Sequence, residues 1–117
     1  MPRKIIIIED DEDTLDIMSY ILTEEGYEII SANNGKLLED VHIHQPVLIL
    51  MDNRLAEGIG GDICRQFKSN PATMHYPVIL VSASIGLETM AQESHADHYL
   101  KKPFDISELL EIVRRFG

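Results

Sequence analysis

Three stretches built on unbroken apolar runs set the tightest limit on how this chain folds: "KIIII" at 4–8, apolar from Ile5 to Ile8, "VLILM" at 47–51, and "PVILVS" at 77–82, apolar up to Val81. Each reads as a buried strand. A strand with one wet face alternates apolar and polar residues, so runs without alternation need cover on both faces. Between them the spacing turns helical. "DTLDIMSYILTEEG" places Leu15, Met18, Ile21 and Leu22 on one side, and Gly26 ends it. "YEIIS" reads as the second strand, "GKLLEDV" as a short helix and "GDICRQFKS" as the helix after the third strand. A weaker helical stretch spans about 86–94, and "DHYL" is a short fifth strand. "DISELLEIVRRF" closes the chain as a helix with an apolar stripe of Ile106, Leu109, Leu110 and Val113, and Asp105 and Glu108 have the spacing of a capping box. Strands alternating with helices predict an α/β fold, a parallel sheet of five strands covered on both faces.

The 117 residues, 44% of them hydrophobic, suffice for one domain with a sizeable core. No apolar run approaches the roughly 20 residues that cross a bilayer, and "MPRKIIIIEDD" turns acidic before a signal-peptide core could form. A cytoplasmic location is the expectation. The net charge of -10, with no basic stripe, argues against direct nucleic-acid binding. The single cysteine, Cys64, excludes an internal disulfide and reads as a core residue. The histidines at 42, 44, 75, 95 and 98 have no convincing metal-ligand spacing and are read as noncatalytic.

Right-handed crossovers point all five strands the same way, so the residues that follow them gather along one edge of the sheet. Those residues are Glu9, Asp10 and Asp11 after the first strand, Asp52 after the third, Ser82 at the end of the fourth, and Lys101 and Lys102 after the fifth. Carboxylates held about 4 Å apart repel by roughly 4 kcal/mol at an effective dielectric near 20, so the group needs protons or a cation. Magnesium is the economical candidate, being hard and oxygen-seeking, with coordination places left for phosphate and water. Lysine would pair with Asp52 or a phosphoryl oxygen, and Ser82 could donate to the same oxygen. Asp11 reads as a helix-start acid and Lys101 as a solvent-facing side chain.

Four segments, "IIIIEDDED" at 5–13, "LILMDNRLAEGIGGDICR" at 48–65, "PVILVSAS" at 77–84 and "ADHYLKKPF" at 96–104, together resemble the response-regulator receiver domain of two-component phosphorelay signalling. The resemblance covers essentially residues 1–117 as a single receiver domain. It implies a doubly wound, flavodoxin-like (βα)5 fold, a five-stranded parallel sheet with strand order 2-1-3-4-5. It also implies that Asp52 accepts a phosphoryl group from a partner histidine kinase or histidine phosphotransfer protein. By the same resemblance Glu9 and Asp10 are the acidic pair, with Asp10 the better direct ligand, and Arg54 contributes its backbone carbonyl, so that Glu9, Asp10, Asp52 and Arg54 form the Mg2+ site. Ser82 resembles the switching hydroxyl, Tyr99 the switching aromatic and Lys102 the lysine before Pro103, whose preceding peptide bond is expected to be cis.

The chain departs from the family pattern at Ala56, where proline is usual, at Gly58, where methionine is common, and at His95, where glycine is common. None removes a catalytic atom. The rivals are a receiver-like interaction scaffold without phosphorylation and a magnesium-dependent aspartyl-phosphate phosphatase. Such phosphatases often carry a second aspartate two residues after the nucleophile, where this chain has Arg54. The receiver is therefore expected to catalyse its own phosphotransfer and autodephosphorylation rather than to turn over free substrates. Its output is expected to lie outside the domain, in an output domain, a protein target or a phosphorylation-dependent homodimer.

Overall fold

The computed structural model describes residues 3–55 and 58–117. The central sheet consists of β1 (Lys4–Ile8), β2 (Glu28–Ala32), β3 (Leu48–Asp52), β4 (Val78–Ser82) and β5 (His98–Lys101), all parallel in the order β2-β1-β3-β4-β5. The helices are α1 (Glu12–Glu24), α2 (Val41–His44), α3 (Gly60–Ser69), α4 (Leu87–Glu93) and α5 (Ile106–Phe116). The doubly wound order that the family resemblance implied is the order observed.

The unbroken isoleucine run follows from this architecture. Ile5 and Ile7 face one side of the sheet with Leu48, Leu50, Ile79 and Val81, against Met18 and Leu22 of α1 and Leu109 and Val113 of α5. Ile6 and Ile8 face the other with Ile49, Met51, Val78 and Leu80, against Val41, Cys64, Phe67, Leu87 and Ala91. Alternation of side chains along a strand thus feeds two cores, and every position must be apolar. All four isoleucines are at most 1% exposed, each worth roughly 1.5–3 kcal/mol of burial. Cys64 is wholly buried, and that burial pushes its thiol up to about 11, which fits a packing role.

Three local features differ from the sequence expectation. The second helix is broken: Asn34 caps a 3-10 stretch over Gly35–Asp40, accepting from the Lys36 N–H at 2.9 Å, and only one α-turn follows before Gln45 closes it at φ 49°. The run Val41-His42-Ile43-His44 is made of weak helix formers, so nothing local favours a longer helix. In α5, Ile106 is 58% exposed while Ile112 is buried beside Leu109 and Val113, so the stripe turns towards Ile112. The capping box is present, the Asp105 N–H donating to Glu108 Oε1 at 3.3 Å. After Asp52, where the glycine-rich sequence reads simply as a turn into the next helix, the chain forms a small antiparallel hairpin, Arg54–Leu55 with Gly58–Ile59. Gly58 lies in that hairpin, and Ala56 falls outside the described residues.

Candidate functional site

The sheet ladder runs one residue beyond the strand ends and carries the polar residues with it. The Glu9 N–H donates to the Ala32 carbonyl at 3.0 Å, the Asn53 N–H to Val81 at 3.1 Å, and the Lys102 N–H to Ser82 at 2.9 Å. Because Ile8 stands level with Met51, and Asp52 with Val81, the ends of β1, β3, β4 and β5 come to one level. Glu9, Asp52 and Ser82 are buried there at 2%, 7% and 2% exposure, whereas Asp10 and Asp11 are exposed.

Lys102 bridges the acids. Its Nζ donates to Glu9 Oε1 at 2.9 Å and Oε2 at 3.1 Å, and lies 3.5 Å from Asp52 Oδ2. One carboxylate oxygen from each of Glu9, Asp10 and Asp52 lies within 4.8 Å of the others. Glu9 and Asp52 thus share one ammonium, and the Asp10 carboxylate lies beside them. Burial, with the Asp52 charge adding to it, pushes Glu9 from 4.5 up to about 7, against the opposing pull of Lys102. Such a cluster of oxygen donors, without histidine or cysteine, suits a hard divalent cation, which would offset the excess negative charge. Among the described residues it is the one cluster of this kind.

A cleft of about 240 Å³ beside the cluster is lined by Asp52, Ser82, Ala83, Ser84 and Lys102. The Ser82 hydroxyl donates to Ser84 Oγ at 2.9 Å and accepts from the Ser84 N–H at 3.0 Å. Asp11 does what a helix-start acid does: it caps α1 by accepting from the Thr14 N–H at 3.0 Å, and hydrogen bonds from Thr14 hold its carboxyl below the ordinary range. Tyr99 is half-buried on β5, away from the acids in the chain but packed against the core that includes α4. The Arg54 backbone belongs to the hairpin that follows Asp52. The Lys102–Pro103 bond is cis, and Lys101 is exposed.

Of the histidines, His42 reaches the Tyr76 hydroxyl at 3.3 Å and His98 stacks on Phe116, both packing roles. His95 sits at φ 61°, in the left-handed region where glycine is at ease, which is the physical meaning of that departure. Two residues escaped the sequence reading. Ser84 lines the cleft, and its only sequence signal is a second hydroxyl two positions after Ser82. Asn53 is buried at 5% exposure directly after Asp52, its signal being an amide where a buried strand leaves the sheet.

The family model described as the response regulator receiver domain matches residues 5–114. The chain is 30% identical over 119 residues to the polar-differentiation response regulator DivK of Brucella anthropi, covering 99% of this chain and 97% of that one. It is 35% identical to the DNA-binding dual master transcriptional regulator RpaA of Synechocystis, but spans only 48% of that protein. Among solved structures, a response regulator from Chloroflexus aurantiacus superposes with a TM-score of 0.92 at 25% identity, over 99% of this chain and 98% of its own. No helix among the described residues is long and apolar enough to cross a membrane.

Proposed function

This chain belongs to the response-regulator receiver family, whose members exchange phosphoryl groups with histidine kinases or phosphotransfer proteins, and from that premise we propose that Asp52 is its phosphoacceptor. The observation that carries the reading is Lys102 Nζ lying between Glu9 and Asp52 at 2.9 and 3.5 Å, at the edge of a cleft that Ser82 also lines. An Asp52 carboxylate oxygen attacks the phosphorus of a donor phosphohistidine in line. The new O–P bond forms as the P–N bond breaks, and the electron pair leaves with the imidazole. Lys102 stabilises charge on the transferring oxygens, and the Ser82 hydroxyl turns from Ser84 to donate to one of them. Asp10, Asp52 and the Arg54 carbonyl would hold Mg2+, with Glu9 behind them, and the ion would supply positive charge opposite the phosphoryl oxygens.

Phosphorylation then biases Ser82 and Tyr99 towards a second packing, altering the surface of α4, β5 and α5 that a protein target, an output domain or a second copy reads. The receiver unit takes up residues 1–117 and works in the cytoplasm, where the phosphodonor resides. The charge of -10 disfavours a direct contact with nucleic acid. Incubating the chain with acetyl phosphate and magnesium should add one hydroxylamine-labile phosphoryl group, read by intact mass. Asp52→Asn should take up none, and unchanged labelling of that variant overturns the assignment.

A further inference from the structure

Asn53 stands between Asp52 and Arg54, yet its side chain points away from the chemistry they share. It is 5% exposed, and a buried amide is tolerated when both of its ends are bonded. Its Oδ1 accepts from the Gly61 N–H at 3.0 Å, in the first turn of α3. Its Nδ2 donates to Met90 Sδ of α4 at 3.4 Å. Its own N–H continues the sheet to Val81. One side chain therefore ties the phosphoacceptor end of β3 to the start of α3 and the middle of α4.

Resting on the reading of Asp52 and Arg54 given above, we propose that Asn53 is a positioning residue that couples occupancy of their site to the packing of α4. The hydrogen bond to Gly61 pins the residue directly before Arg54 to the start of α3, so the Arg54 carbonyl follows on a residue whose side chain is fixed. A ligand that draws on Asp52 or on that carbonyl pulls against the amide, and the amide cannot move without dragging Gly61 and Met90. An apolar side chain would fill the same volume, but it would leave the Gly61 N–H unanswered and give no directed link to α4. The partner on α4 is suited to moving. Methionine is the most adaptable apolar side chain, and a cavity of about 160 Å³ bordered by Asn53, Gly61, Met90 and Ser94 gives it room. Leu87 and Ala91 of α4 share a core cluster with Tyr99, so the route ends on the surface assigned to output.

The test is methyl NMR of the full chain labelled at its five methionines, the Met90 signal being assigned with Met90→Leu. Saturating magnesium alone, and magnesium with acetyl phosphate, should each displace the Met90 resonance in the wild type. In Asn53→Leu the displacement should fall at least threefold while the methyls of Met18 and Met51 keep their wild-type positions. Asn53→Ala carries the same expectation should Asn53→Leu fail to fold. A Met90 displacement that falls by less than threefold, or none in the wild type itself, overturns the proposal. So does a change that spreads equally to Met18 and Met51, which marks general loosening. Should the wild type take up no phosphoryl group, the phosphoacceptor reading fails, and the magnesium arm still decides the role of Asn53.

Discussion

Replacing Glu9 by glutamine measures what a buried carboxylate costs this fold before any cation reaches it. Burial moves Glu9 from 4.5 to about 7, and each pH unit is worth about 1.4 kcal/mol, so ionised Glu9 costs the folded chain about 3 kcal/mol. The sign follows from which state holds the proton more tightly. Folded Glu9 holds it more tightly than the unfolded chain does, so its contribution is fully present below pH 4.5 and is lost as pH rises through about 7. In urea denaturation with EDTA, wild type should lose about 3 kcal/mol more than Glu9→Gln between pH 4.5 and pH 8. With a urea m-value of about 2 kcal/mol/M this is a difference of roughly 1.5 M in midpoint. Magnesium at pH 8 should return part of the loss in wild type, since the cation answers the charge that burial penalises. Parallel stability curves for the two proteins would refute the reasoning, because they would show Glu9 titrating alike in the folded and unfolded chains.

Ser84→Ala removes the acceptor that holds the Ser82 hydroxyl at 2.9 Å, and one such bond is worth about 1 kcal/mol, so phosphorylation by acetyl phosphate should proceed about fivefold faster; a rate unchanged in stopped-flow measurements counts against that bond as a restraint. His95→Gly relieves a left-handed residue at φ 61° and should raise the unfolding free energy by about 1 kcal/mol, read from the urea midpoint. Asp97→Ala strips the buried Val78 N–H of its acceptor at 2.8 Å and Lys68 of its carboxylate at 2.9 Å, leaving the ammonium on the Met74 and Tyr76 carbonyls, so a loss of about 2 kcal/mol is expected in the same assay. Cys64, buried and pushed up to about 11, should resist iodoacetamide at pH 8 in the native chain and react promptly once unfolded, as mass spectrometry would show.

The sequence by itself determined the sheet. "IIII", "LILM" and "VILV" can be apolar at every position only if both faces are covered, and polar residues directly after such strands are forced to one edge by the handedness of the crossovers. That logic places Glu9, Asp52, Ser82 and Lys102 together without knowledge of any contact. The capping box of α5 was equally legible, since its two partners lie three residues apart. What depended on residues distant in the chain was decided only by the tertiary structure. Lys102 takes Glu9 as its nearest acid across 93 positions, and Asn53 reaches Met90 across 37. The stripe of α5 turns from Ile106 to Ile112 because the sheet, not the helix's own periodicity, sets which face is covered. Local spacing states which side chains share a face or an edge. It carries no information about which of several neighbours a buried polar group will choose, because that choice is made by packing, burial and the charges that three-dimensional folding brings within a few ångströms.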